Sequence, residues 1–116
     1  MNKIYHLANC DTCRKIIQSL PTTDGFVLQD IKTEPITPQQ LDEMKKLAGS
    51  YEALFSRKAM LYKSLGLKDQ KLTEPDYRKY ILEHYTFLSR PVFLIDGKIY
   101  VGNSKKNVEN VIAALR

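Results

Sequence analysis

The chain has 116 residues, 43% of them hydrophobic and 27% charged, with a formal net charge of +5. That length suits one domain with a buried core, and its apolar runs are far too short to cross a bilayer. Cys10 and Cys13 are the only cysteines, and the loop they would close is too small to staple a secreted fold. A cytosolic protein using the pair for redox chemistry is expected.

The Met-Asn-Lys start runs straight into a strand, so no secretory leader is expected. The positive balance favours anionic partners such as an oxyanion, a peptide thiol or an acidic protein surface. Its charges are scattered, with Arg14-Lys15, Arg57-Lys58, Lys45-Lys46 and Lys105-Lys106 the same-sign doublets, which argues against direct nucleic-acid binding.

Residues Lys3 to Ala8 read as a strand. Cys13, Ile16, Ile17 and Leu20 then recur at helical spacing on one apolar stripe, ended by Pro21 and the Thr22-Thr23-Asp24-Gly25 cluster. Phe26 to Ile31 is a second strand, completing a parallel β-α-β unit. Thr37, Pro38 and Gln40 form a capping-box start for a helix that buries Leu41, Met44, Leu47 and Ala48 and stops at Gly49. Two further helical stretches are expected, roughly Tyr51 to Leu65 and Thr73 to Leu88. Val92 to Ile95 reads as a buried strand, Asp96-Gly97 as a two-residue hairpin turn, and Ile99 to Val101 as its partner. Gly102-Asn103 makes a turn, and Ser104 caps a last helix with Val108, Val111, Ile112 and Leu115 on its apolar face.

The order is β-α-β, a helical insert over about residues 35–88, then β-β-α. Without the insert this is the thioredoxin-like pattern, an α/β fold with a four-stranded mixed sheet, here in a single domain over residues 1–116.

The chemistry is expected at Cys-Asp-Thr-Cys, between the first strand and the first helix. A thiol becomes a nucleophile only on losing its proton, near pH 8.5 for free cysteine. Cys10 falls at or near the helix N-cap, where unpaired amides and the dipole favour an anion, and Arg14 and Lys15 add positive charge one turn on. Cys13 lies on the apolar stripe and should be less exposed. The reading is an attacking thiolate at Cys10 and a resolving thiol at Cys13, placed by helical spacing within reach of each other. A merely packed pair of cysteines is one alternative. Half of a metal site is another, though only His6 and His84 could complete it.

Arg90-Pro91 immediately precedes the buried strand. In a thioredoxin-like sheet a cis proline there lies opposite the cysteine helix and exposes backbone for substrate pairing; a trans proline opening a strand is the alternative. Arg90 would then hold its guanidinium beside the sulfur, able to bind an anion in a bidentate way. Arg57, within Leu54-Phe55-Ser56-Arg57-Lys58, is a second candidate for anion binding or a plain surface arginine. His6, four residues before Cys10, is a core histidine or a modulator of the thiol.

The set Ile4-Tyr5-His6, Cys-Asp-Thr-Cys-Arg-Lys, Leu54 to Leu67, Ser89-Arg90-Pro91-Val92 and Val101-Gly102 resembles the ArsC family. This family holds the glutaredoxin-coupled arsenate reductases and their Spx and YffB relatives, and the resemblance covers nearly the whole chain. It implies a thioredoxin-like fold with a helical insert and a catalytic cysteine at Cys10; substrate contacts are expected from Arg57, Arg90, Pro91 and His6, with no tightly bound cofactor. Glutathione or glutaredoxin would be the electron donor, with a small thiol, disulfide or oxyanion as substrate. Family arsenate reductases carry three arginines around the oxyanion. Here Ser56 takes the first position with Arg57 one place later, Arg90 takes the second, and the third falls near Asn103. Each lost charged hydrogen bond is worth about 1.5–3 kcal/mol, so a disulfide- or glutathione-directed reductase is expected before an arsenate-directed one. The Spx branch implies the alternative, a redox-switched regulator that binds the C-terminal domain of the RNA polymerase α subunit. Gly49 matches its contact glycine and also reads as a helix C-cap.

Overall fold

The computed structural model describes residues 2–116. The chain forms two compact units, one running to Pro35 and resuming at Arg90, the other Ile36–Ser89.

The first unit holds a four-stranded sheet in the order β2-β1-β3-β4, from β1 (Asn2–His6), β2 (Phe26–Asp30), β3 (Val92–Ile95) and β4 (Lys98–Val101). β1 and β2 are parallel, and β3 is antiparallel to both β1 and β4, so the sheet is mixed. This is the expected α/β architecture. The β3–β4 turn has Asp96 at φ 50° and Gly97 at φ 79°, the paired positive angles of a primed hairpin turn that Asp-Gly favours. Two helices, α1 (Asp11–Gln18) and α5 (Lys105–Ala114), complete the unit. Ile16 and Leu20, Val111, and Ile4, Phe93 and Ile95 of the sheet pack into one core cluster. The stripe that begins at Cys13 thus anchors the cysteine helix to β1 and β3.

In the second unit α2 (Pro38–Ala48) begins as its sequence dictates. Thr37 and Gln40 close a reciprocal capping box, Pro38 takes the first turn, and Gly49 ends it in the left-handed region at φ 96°. Leu41 and Met44 are buried, but Leu47, expected on the buried face, is 47% exposed.

The two long helices expected after Gly49 are broken. A 3₁₀ turn (Glu52–Leu54), α3 (Met60–Ser64), a second 3₁₀ turn (Leu67–Asp69), α4 (Glu74–Glu83) and a third 3₁₀ turn (Tyr85–Phe87) replace them. The cause is a long-range bridge. Phe55 pairs antiparallel with Leu88, Ser56 N–H donates to the Phe87 carbonyl (2.7 Å) and Ser89 N–H to that of Leu54 (2.8 Å). Both segments must be extended there, so neither helix can run through. The Phe55 ring stacks on Phe87 at 5.2 Å and meets Tyr77 at 4.9 Å, while the Glu74 carboxylate accepts the Tyr51 and Glu52 amides. Among the described residues no helix is long and apolar enough to cross a membrane.

Two residues of α2 test this packing. Met44→Ala should cost about 2–5 kcal/mol, whereas Leu47→Ala should change stability by less than about 0.5 kcal/mol. Urea denaturation of both variants checks the pair; equal losses would contradict the helix orientation.

Candidate active site

Cys10 is the N-cap of α1, with extended backbone at φ −99° and ψ 117°. Its N–H donates to the Leu7 carbonyl (3.2 Å) and its own carbonyl accepts from Arg14 N–H (3.0 Å), so a tight turn joins β1 to the helix. The side chain closes no full-geometry cap hydrogen bond. The sulfur nonetheless feels the helix start. The Cys13 amide, above all, draws the Cys10 thiol pKa below its ordinary value, helped by the Cys13 thiol, the Thr12 amide and the Arg90 charge, against some desolvation.

Cys13 is 1% exposed. Burial pushes its thiol up, and negative charge on Cys10 pushes it further; the Leu7 backbone and the Arg90 charge act the other way. Both cysteines are free thiols in the structure. One helical turn therefore holds two thiols of opposite tendency, the half-exposed one inclined to ionise and the buried one inclined to keep its proton.

The cationic influence on Cys10 comes from Arg90 and not, as expected, from Arg14 and Lys15. Arg14 turns along the helix surface to pair with Asp11, and Lys15 is exposed. Arg90 is placed by strand register. Tyr5 pairs with Val92 at the end of the β1–β3 ladder, so Arg90 and Pro91, just before β3, lie beside the end of β1 that leads into the cysteine loop. The Arg90–Pro91 peptide bond is cis.

Asn107, which sequence reasoning passed over, supports this segment. Gly102 N–H donates to the Pro91 carbonyl (2.9 Å), and the Asn107 side-chain amide donates to the Gly102 carbonyl (2.8 Å). The available signal was an amide side chain one turn into a helix that follows a glycine turn.

His6 ends β1. Burial lowers its pKa below the usual histidine value, against the pull of the Asp30 carboxylate, so the ring is neutral at pH 7. Its Nδ1 is buried without a hydrogen-bond partner among the described residues. Arg57 belongs to the second unit. There it donates to the Glu52 carboxylate (2.7 Å) and the Tyr77 hydroxyl (3.0 Å), with its guanidinium 5.7 Å from the Tyr77 ring centre. His84, the other histidine, has its Nδ1 2.7 Å from the Thr86 hydroxyl. Among the described residues no three His, Cys, Asp or Glu side chains cluster as metal ligands.

The chain is similar to known proteins. The model of the ArsC family matches residues 5–111. An arsenate reductase of Neisseria meningitidis is 31% identical over 115 residues, spanning 95% of this chain and 97% of its own. The global transcriptional regulator Spx 2 of Bacillus anthracis is 22% identical over 112 residues, spanning 94% of this chain and 85% of its own. Among solved structures, an arsenate reductase from Vibrio cholerae superposes with a TM-score of 0.78 at 21% identity, covering 98% of this chain and 97% of its own.

Iodoacetamide should modify Cys10 well before Cys13 at pH 7. Arg90→Gln should raise the midpoint of the rate–pH profile for both thiols, because the Arg90 charge lowers both; mass mapping of each sulfur against pH checks it. Asn107→Ala should destabilise the protein by about 1 kcal/mol through the lost hydrogen bond and, by loosening the Gly102–Pro91 tie, weaken the Arg90 effect on that midpoint.

Proposed function

The chain belongs to the ArsC family, and on that premise we propose that it is a cytoplasmic thiol-dependent reductase working through Cys10 and Cys13. The observation that carries this reading is the split between the two thiols, one drawn toward the thiolate at a helix N-cap, the other buried and held protonated.

The Cys10 thiolate attacks one sulfur of a disulfide. A bond forms to that sulfur, the old S–S bond breaks, and the departing thiolate takes the electron pair and then a proton. Cys13, losing its proton, attacks the Cys10 sulfur and expels the second substrate thiol. The substrate gains two electrons, and the protein is left with a Cys10–Cys13 disulfide. Two glutathione molecules or a glutaredoxin dithiol return it to the reduced form. Arg90 holds negative charge beside the thiols, on the leaving sulfur or on an anionic substrate group, and Pro91 next to it offers backbone for substrate contact.

An arsenate-like oxyanion is the less favoured substrate. Asn103 stands where the resemblance expects the third arginine, and Arg57 is already engaged by a carboxylate.

The relatives named Spx supply a second reading, a non-enzymatic switch in which the same disulfide alters binding to the C-terminal domain of the RNA polymerase α subunit. Turnover separates the two. Steady glutathione-dependent reduction of a mixed disulfide, with arsenate reduced much more slowly, is expected for the enzyme. Cys13→Ser should stop resolution and accumulate substrate bound to Cys10, visible by mass spectrometry. No turnover, with polymerase binding that differs between dithiol and disulfide forms, would replace the enzyme with the regulator.

A further inference from the structure

A cavity of about 260 Å³ lies beside α1, lined by His6, Ala8, Arg14, Ile17, Gln18 and Leu28. All six belong to the first unit. Its walls follow from two periodicities. Cys13 and Ile16 face inward from α1, so Arg14, Ile17 and Gln18, at i, i+3 and i+4, form the neighbouring stripe. Alternation along β2 puts Phe26 and Leu28 on one face of the strand. Phe26 packs against the core, while Leu28, further along, is left 44% exposed. β2 is an outer strand, so the cavity sits at the edge of the sheet.

Its chemistry is apolar. Ile17, Leu28 and Ala8 contribute hydrocarbon, as do the stems of Arg14 and Gln18. The Arg14 charge is paired outward with Asp11, and His6 is neutral at pH 7. Nothing here recognises an oxyanion or a carboxylate. The volume falls below the roughly 300–1,000 Å³ of free-standing ligand pockets, which fits one side chain of a larger substrate.

Its place beside the nucleophile selects which side chain. Cys10 to Arg14, and Arg14 to Gln18, are each about 6 Å along a helix at 1.5 Å per residue. With Ala8 two residues before Cys10 and Arg14 one helical turn after it in the lining, the cavity begins beside the nucleophile and runs along α1. An extended peptide advances about 3.3 Å per residue and returns a side chain to the same face every second residue, so the occupant stands two residues from the attacked cysteine.

We infer that this cavity is a subsite for an apolar side chain two positions from the reacting cysteine of an extended peptide disulfide, so that the substrates are protein disulfides with an aliphatic neighbour. This rests on the reductase reading above and narrows its substrate class. Glutathione has no apolar side chain to place there and gains nothing from the cavity, which suits a donor rather than the substrate.

The test uses the reduced full chain in single turnover. The probes are short peptides whose one cysteine is linked to 5-thio-2-nitrobenzoate, with leucine or serine two residues before or after it. Glutathione linked to the same group is the reference. Cys10 attacks the peptide sulfur, the aryl thiolate leaves with the electron pair, and its absorbance gives the rate. A leucine peptide should react at least about fivefold faster than its serine counterpart, on one side of the cysteine or the other. Leu28→Ser, which empties a wall, and Ala8→Leu, which fills the space, should each reduce that ratio to below about twofold. Val27→Ser, at a 43% exposed position on the other face of β2, should keep it. Equal rates for leucine and serine peptides, or a ratio unchanged in both cavity variants, would overturn the subsite. If the glutathione reference reacts normally in that case, the reductase reading stands without it; if no probe reacts, both fall.

Discussion

Three residue pairs between β1 and β3, Lys3 with Leu94, Ile4 with Phe93 and Tyr5 with Val92, determine where the chemical groups of this protein fall. Ile4 and Phe93 are both fully buried in the core that also receives Ile16 of the cysteine helix. Slipping the pairing by one residue would turn those side chains to the opposite face, forfeiting about 1.5–3 kcal/mol for each large apolar group exposed. The same slip would shift Arg90 and Pro91, which precede β3, relative to the end of β1. The core thus fixes the register, and the register fixes the charge beside the thiols. The Gly102 and Asn107 hydrogen bonds extend that control from α5 to the turn before β3.

Much of this was legible from local signals. The Thr37 capping box, the Gly49 stop, the Asp96-Gly97 turn and the Ser104 cap each need only three or four neighbouring residues, and each forms where the sequence puts it. The position of Cys10 at the N-cap followed from a strand running into an apolar stripe at helical period. What was hidden depends on partners far along the chain. Phe55 and Leu88 lie in stretches of helical character and are extended because they pair with each other. Leu47 fits the periodicity of α2 yet lies beyond the side that packing covers. Arg14 is near the sulfur in sequence and pairs with Asp11 instead, while Arg90, distant in sequence, supplies the charge. Asn107 and the cavity beside α1 arise only once the strands are assembled.

The charge inventory bears on substrate class. A tetrahedral oxyanion disperses two or more negative charges over several oxygens and needs donors on several sides. In the first unit the cationic group acting on the thiols is Arg90, while Arg14 is satisfied by Asp11 and the wall beside α1 is hydrocarbon. One cation, an amide-rich helix start and an apolar wall suit a neutral disulfide that develops a single negative charge on its leaving sulfur. In the proposed reaction Arg90 would then act mainly as that charge appears, which is where an electrostatic contact accelerates a step rather than merely tightening binding.

The two thiols also set the order of the proposed steps without any moving part. Negative charge on Cys10 is one of the influences that keeps Cys13 protonated. Once the Cys10 sulfur is bonded to substrate it carries no charge and that influence ends, while the Arg90 and Leu7 contributions still favour the Cys13 thiolate against burial. Resolution is thereby disfavoured before the mixed disulfide exists and eased after it forms. When the donor later reopens the pair it reaches the half-exposed Cys10 sulfur, and in the second exchange that sulfur is a good leaving group, because the helix amides and the Arg90 charge that lower its pKa still surround it. A spacing of three residues is what permits this: close enough for one sulfur to sense the other's charge, yet on a helix start that leaves the first half-exposed and buries the second.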